Sequence, residues 1–323
     1  MMERVLNPPV LARRRDTDAN LGIAMAVMVA LFIVAPFVVY PIFLMKALCF
    51  ALFACAFNLL IGYVGLASFG HALFFGWASY FTAYAAKSWG WPPELAVLLG
   101  TAAAAVLGVI AGALAIRRQG IYFAMITLAL AQMMYFFALE AKFTGGEDGI
   151  QGVPRGRLFG LFDLSHEMTM YAFVLVVVVA GILFIYRIIN SPFGEVLKAI
   201  RENEQRCISL GFHTERYKLL AFVLSATLAG LAGSMKSLVF QLASLTDVHW
   251  TMSGDVLLMT LLGGLGTMLG PVVGAFAVIA MQNYLAPFGQ WVLVIQGAIF
   301  VVCVLVFRRG IVGELAHLLR VRL

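Results

Sequence analysis

From Val256 to Phe307 the chain carries no charged residue. Such a run cannot lie on a water-facing surface, and it is far longer than the ~20 residues one helix needs to cross hydrocarbon. It must fold back on itself, and Gly263-Gly264, Pro271, Pro287 and Gly289 mark where. Lipid tolerates this only as helices, or as broken backbone covered by protein. Gly266, Gly270 and Gly274 recur at every fourth position, so one face of the stretch is nearly bare backbone. The whole 323-residue chain has the same character: 63% hydrophobic, 12% charged, mean hydropathy +0.97. Soluble domains carry about 25% charged residues, so the composition excludes a water-soluble fold. The pattern predicts an all-α polytopic membrane protein of roughly eight to ten transmembrane or re-entrant helices with Gly-broken segments.

Residues 1–20 read as an irregular polar tail ending in Arg13-Arg14-Arg15 and neighbouring polar residues. Leu21 to Tyr40 is the first span; no small-residue cleavage site follows it, which argues against a signal peptide. Pro41 ends that run, and Ile42 to Ile61 forms the second, with Lys46 near its start. Gly62 to Ala86 is broken by Gly62, Gly65, Gly70 and Gly76, with Ser68 and His71 between them. Leu95 to Ile116 follows, its Gly108 and Gly112 suited to close helix contact. Ile121 to Leu139, Met170 to Ile189 and Leu219 to Gln241 are further spans. The membrane domain is expected over 21–307, with a C-terminal tail over 308–323.

Lysine and arginine collect on the cytoplasmic side of membrane proteins. The net charge of +6 is therefore an orientation signal, not a nucleic-acid footprint. The N-terminus, Arg117-Arg118, the 190–218 loop and the C-terminus are basic, which places all four in the cytoplasm. The 140–168 loop and the turn at Asp247 then lie outside. Parity makes the segments Gly62 to Gly70 and Gly263 to Gly270 enter from opposite sides. Broken helices in matching places of two halves point to an inverted repeat around a translocation path; the competing reading is tight helix packing.

Asn190 to Lys218 is the one long polar stretch with a helical pattern. Ser191 before Pro192 is a helix start, Val196, Leu197, Ile200 and Ile208 share one side, and Gly211 is a stop. The pattern predicts one amphipathic helix, which either lies on lipid or docks a soluble partner. Arg201 and Glu204 are its exposed charges.

Catalytic motifs are missing: there is no phosphate-binding Gly-x-x-x-x-Gly-Lys-Ser/Thr, no His-Glu-x-x-His and no Cys-x-x-Cys. Cys49, Cys55, Cys207 and Cys303 have no metal-site spacing, so neither a metal nor a cofactor is expected. Ion-coupled carriers keep ionisable groups in the membrane. Here the mid-span candidates reduce to His71, which reads as a packing residue, while Glu94, Glu140 and Asp255 sit near span ends. The driving energy is expected to come from another chain. The alternatives are a single-chain ion-coupled carrier or channel for a small polar solute, and an integral membrane enzyme.

Several motifs are similar to those of a known family. They are Asn58-Leu-Leu-Ile-Gly-Tyr-Val-Gly-Leu-Ala-Ser-Phe-Gly-His-Ala72, Thr144-Gly-Gly-Glu-Asp-Gly149 with Pro154, and Ser191-Pro-Phe-Gly194 with Ala199-Ile-Arg-Glu-Asn-Glu204 and Ser209-Leu-Gly211. Gly254-Asp-Val-Leu-Leu, Leu262-Gly-Gly-Leu-Gly-Thr267 and Gly270-Pro-Val complete the set. In this order they resemble the LivM-type permease subunit of branched-chain amino acid ABC importers. The resemblance implies a non-catalytic permease in a bacterial inner membrane, surrounded by lipid. It implies a sister permease, two cytoplasmic ATPases and a periplasmic solute-binding protein, and no nucleic acid. It makes Pro192 to Gly211 the loop that docks in the ATPase cleft, with Pro192, Gly194, Arg201, Glu204 and Gly211 as its residues. Gln205-Arg206-Cys207 stands where the general signature has Glu-Ala-Ala. Asn58, Gly62, Gly65, Ser68, Gly70, His71, Gly263, Gly266 and Gly270 then belong to the path or to helix packing. Glu147 and Asp148, on the outer loop, are candidates for docking the binding protein.

Overall fold

The protein is described by a computed structural model covering residues 9–289, 291–306 and 310–318. Helices follow one another as α1 (Pro9–Val34), α2 (Pro41–Ile61), α3 (His71–Ser88), α4 (Pro93–Ala115), α5 (Ile121–Glu140) and α6 (Glu167–Ile189). Then come α7 (Pro192–Glu202), α8 (Glu204–Ser209), α9 (Thr214–Phe240), α10 (Trp250–Gly263), α11 (Gly270–Leu285), α12 (Trp291–Val306) and α13 (Gly310–Leu318). α2, α4, α5, α6 and α9 are long and apolar enough to cross a membrane, and shorter apolar helices cover Gly22–Phe37, Gly270–Leu285 and Val294–Cys303. The Arg308-Arg309 pair that closes the last apolar run, and the ends of both tails, lie outside the described residues.

Hydropathy alone does not say which helix is central. α6 is more apolar than α2 (2.8 against 2.1), yet 33% of its span is buried against 89% for α2. Both are apolar on every face, but α2 is enclosed by α6, α9, α10 and α11, while α6 turns much of its surface outward. α9 packs on α3 and α4 as well. Its small residues make this possible: Ala226, Ala229, Gly230 and Gly233 are buried, Gly108 of α4 meets Ala226, and Gly112 meets Leu219 and Phe222. A side chain on Gly233 would overlap the carbonyl of Phe75 in α3.

Successive long elements run alternately between two ends of the bundle. One end holds α7, α8 and α13; the other, called the far end here, holds the 141–166 and 241–249 connections. There β1 (Ile150–Gln151) pairs antiparallel with β4 (Leu242–Ala243), and β2 (Arg157–Leu158) forms a small hairpin with β3 (Phe162–Asp163). α1 begins at Pro9, well before the apolar run, so much of the expected irregular tail is helical.

Two expectations fail. The amphipathic stretch is two helices, because Asn203 is extended (φ −157°) and its side chain accepts a hydrogen bond from the Arg206 amide at 3.0 Å, capping α8. Asn competes with the helix backbone in this way, which favours it at caps. The two Gly-broken segments do not enter from opposite sides. Both α2 and α10 arrive at the α7 end before they break, and both continuations, α3 and α11, leave toward the far end. α10 has only 14 residues and finishes at Gly263, so its break falls at the end of an inward leg. The two helix-break-helix units are thus arranged in the same sense.

α10 and α11 approach closely through glycine. A Cβ on Gly263 would overlap the Gly270 carbonyl oxygen, and one on Gly274 the Met259 carbonyl oxygen. Alanine at Gly274 is expected to lower the stability of the purified protein by about 1–3 kcal/mol, the usual cost of overpacking, read as a fall in the thermal midpoint in detergent. Alanine at Gly297, where a Cβ meets nothing within 4 Å, is expected to leave the midpoint unchanged or raised. Equal losses at both positions would remove close helix contact as the reason for Gly274.

Candidate functional site

α7 is built by its own sequence and seated by α6. Ser191 caps it, its hydroxyl accepting from the Gly194 amide at 3.4 Å and donating to the Ile188 carbonyl at 2.6 Å. Pro192 follows at the position where a missing N–H costs nothing. Gly194 is buried on the end of α6, where a Cβ would overlap the Ile189 carbonyl. Leu197 and Ile200 are buried, as is Cys207 of α8, and Phe193 stacks on Tyr217 with ring centroids 5.7 Å apart. Gly211 has φ +87° and open space around it. Its backbone conformation, not crowding, demands glycine.

Arg201 and Glu204 were expected to be exposed charges; Arg201 is exposed and Glu204 half-buried, and both also bond within the chain. The Arg201 guanidinium donates to the carbonyl oxygen of Gly62. A Cβ on Gly65 would come within 3.2 Å of Arg201 Cγ, and one on Gly266 within 3.2 Å of Arg201 Nη1. One side chain from α7 therefore touches both broken segments. Glu204 pairs with Lys218 at 2.5 Å and accepts from Thr214 Oγ1 at 3.1 Å and Gln119 Nε2 at 3.0 Å. Its side chain is 18% exposed and that of Lys218 5%. Glu204 is thus a clamp holding α8 to the start of α9 and to the α4–α5 turn.

The broken segments are stitched together by Asn58. Its amide nitrogen donates to the Thr267 carbonyl at 2.9 Å, and its oxygen accepts from the Gly266 amide at 3.0 Å. Gly65 and Gly266 both have positive φ, +82° and +74°, so each break turns where other residues are strained. Gly62 lies against the Gly266 amide, and a Cβ there would stand 2.8 Å from it. Ser68 is buried and accepts from the Gly70 amide at 3.2 Å, while Gly70 fits against the Thr127 carbonyl of α5. His71 begins α3 deep in the bundle. Its Nε2 meets Ser225 Oγ at 2.8 Å, and the rings of Phe57, Phe74 and Phe222 surround it edge-on. That setting suits a packing histidine. Gly263 and Gly270 meet across the α10–α11 turn.

Glu147 and Asp148 sit apart from all of this, on the far end. They are exposed on the single turn Gly146–Asp148. Gly149 next to them is held against the Ala243 carbonyl, so the turn is fixed on the β1–β4 pair. Among the described residues no group of three or more His, Cys, Asp or Glu side chains is placed to hold a metal.

Sequence reasoning overlooked several participants. Lys236 lies inside the expected Leu219 to Gln241 span and is buried in α9, paired with Asp247 at 2.6 Å. A lysine within an apolar run was the available signal, so His71 is not the only ionisable group within the spans. Thr214, Lys218 and Gln119 had no signal, because their partner Glu204 reaches them on two other segments, the start of α9 and the α4–α5 turn.

The family described as the branched-chain amino acid transport system permease component matches residues 39–304. The chain belongs to that family. It is 27% identical over 267 residues to the high-affinity branched-chain amino acid transport system permease protein LivM of Escherichia coli (strain K12), covering 76% of this chain and 63% of that protein. It is 27% identical over 203 residues to a probable LivM of Methanocaldococcus jannaschii, 58% of this chain and 55% of the relative. The ribose import permease protein RbsC of Bacillus subtilis is 27% identical over 188 residues, 56% of this chain and 58% of that one. The chain thus spans a little under two thirds of the length of these curated relatives. No solved structure matches.

Replacing Asn58 with aspartate keeps the acceptor for Gly266 but sets two acceptors face to face at Thr267. The loss is expected to be about 1–3 kcal/mol, the cost of an unsatisfied buried group, measured by thermal unfolding in detergent. Glutamate at the exposed Gln205 serves as the comparison. An Asn58→Asp midpoint no lower than that of Gln205→Glu would deny the amide its role as a latch.

Proposed function

We propose that the chain is the non-catalytic permease subunit of an ATP-driven importer, forming half of a path for branched-chain or related amino acids. The observation that carries this reading is Arg201, which extends from α7 to the backbone of both broken segments. A helix pair that lies at one end of the bundle and grips the breaks is arranged to convert a push from outside into movement within. In this reading α7 and α8 dock in a cleft of the partner ATPases, and the α7 end, with both chain termini, faces the cytoplasm. The far end then faces the periplasm of a bacterial inner membrane, where Glu147 and Asp148 meet the binding protein. A sister permease supplies the other half of the path, and the outward apolar faces of α1, α4, α5 and α6 meet lipid and that partner.

The mechanism follows from the packing. ATP-driven closure of the ATPase pair displaces α7 as a body. Pro192 and Gly194 seat the start of α7, Gly211 ends the stretch after α8, and the Glu204–Lys218 pair carries the displacement into α9. Arg201 carries it to Gly62 and to the 264–267 turn. Close-packed interiors shift between discrete arrangements and do not deform smoothly, so a small displacement at α7 can switch how α2 and α10 meet. The solute class follows the branched-chain amino acid description of the family and of the LivM relatives.

The test is reconstitution with the sister permease, the ATPases and the binding protein in proteoliposomes, measuring labelled leucine uptake. Uptake is expected only with ATP inside the ATPase compartment. Glu204→Arg sets a cation beside Lys218 and is expected to cut uptake at least tenfold while ATP hydrolysis continues. Lysine at both Glu147 and Asp148 is expected to weaken capture of the loaded binding protein and leave basal hydrolysis unchanged. Leucine uptake that persists without the ATPases would replace this reading with that of a self-sufficient carrier.

A further inference from the structure

The far end holds a cavity of about 230 Å³ between α2, α9, α10 and α11. Four charges face it: Lys46 from α2, Lys236 from α9, Asp255 from α10, and Asp247 from the connection between α9 and α10. Lys236 and Asp247 satisfy each other at 2.6 Å, and their side chains are 10% and 3% exposed. Lys46 and Asp255 are different. They lie within each other's field, but no ion pair joins them. Gln282 of α11 is the polar neighbour of Asp255 at the cavity wall; among the described residues Lys46 has no hydrogen-bond partner. An ammonium and a carboxylate thus look into one cavity without closing on each other, although opposite charges drawn out of water gain most by pairing. Phe50, Phe240, Leu242 and Met252 form the apolar remainder of the wall.

This combination matches one chemical class. A zwitterionic amino acid carries its own carboxylate and ammonium on a single carbon, so it can bridge two opposite charges that do not pair directly. Its side chain then needs apolar surface. Drug-sized ligands occupy cavities of about 300–1,000 Å³; this one is smaller and suits a solute of amino-acid size. A second, wider cavity of about 520 Å³ shares Lys46 and Phe240 and continues past Tyr40 and Tyr284, which gives a route in from the far end.

We infer that this cavity is a solute subsite for a zwitterionic aliphatic amino acid, with Lys46 facing the carboxylate, Asp255 and Gln282 facing the ammonium, and Phe50, Phe240 and Met252 around the side chain. The buried Lys236–Asp247 pair is the fixed floor of the subsite and takes no part in recognition. The inference rests on the importer reading and gives it a place where solute pauses after leaving the binding protein.

The test uses the assembled transporter in lipid nanodiscs without binding protein, titrated with leucine, leucinamide and 4-methylpentanoate. Leucinamide lacks the carboxylate and 4-methylpentanoate the ammonium. The wild-type complex is expected to bind leucine at least tenfold more tightly than either analogue. Lys46→Gln is expected to weaken leucine at least tenfold and to erase its advantage over leucinamide alone. Asp255→Asn is expected to erase its advantage over 4-methylpentanoate alone. A substitution that merely disturbs packing would weaken all three ligands together, and that result overturns the proposal, as do unchanged affinities. Wild-type uptake of leucine alongside unchanged variant binding removes the subsite and leaves the importer standing. A wild-type complex that neither binds nor moves any amino acid removes both.

Discussion

Broken backbone at the end of an apolar bundle leaves amides and carbonyls without helix partners, and a buried one left unsatisfied costs about 1–3 kcal/mol. Two side chains meet that demand at the α7 end. Asn58 gives both its donor and its acceptor to the 266–267 backbone, and Arg201 serves the Gly62 carbonyl where α2 stops. Amide and guanidinium suit these places because each offers more than one hydrogen-bonding atom in a fixed plane. The breaks exist because Gly65 and Gly266 turn the chain, and they persist because Asn58 and Arg201 complete them. One of those two residues belongs to the membrane bundle and the other to the amphipathic helix, so the breaks cannot be arranged independently of α7.

The two ends of the molecule are joined by stiff elements. α2 reaches from the far-end cavity, where Lys46 stands, to Gly62, which Arg201 holds. α10 reaches from Asp255 on the same cavity to Gly263, beside the turn that Asn58 stitches. Lys46 and Asp255, which do not pair with each other, therefore sit on the two helices whose opposite ends converge on Arg201. In the proposed transporter, a displacement of α7 alters how α2 and α10 meet and with it the separation of Lys46 from Asp255. The far-end connections behave differently. The Lys236–Asp247 pair and the β1–β4 strands fasten them to α9 and to each other, so in that reading they give a fixed frame against which the helices move.

Much of the bundle could be read from the sequence because hydropathy, proline and glycine each act locally. Pro41 starts α2, the Ser191-Pro192 pair starts α7, and the span limits of α4, α5 and α6 fall within a few residues of the apolar runs. The glycines of α4 and α9 were legible as contact points for the same reason. What escaped was set by contacts between distant segments. Glu204 looks like a surface charge on a helical wheel, yet Gln119 reaches it from the α4–α5 turn and Thr214 and Lys218 from the start of α9. The split at Asn203 depends on one side chain capping the next turn, a choice that helical periodicity does not register. Parity set the broken segments on opposite sides because it gives the order of crossings and not where along each crossing the helix ends; the 14 residues of α10 decide that. His71 stood out in sequence while Lys236 did not, although both are buried.

The central claim is that α7 holds the broken segments through Arg201. Hydrogen exchange of the assembled transporter, followed by mass spectrometry, tests it most directly by comparing wild type with Arg201→Met. The account predicts faster exchange in peptides covering 62–66 and 264–267 of the variant, with the far-end stretch 241–249 unchanged. Equal protection of 62–66 and 264–267 in the two proteins would contradict it.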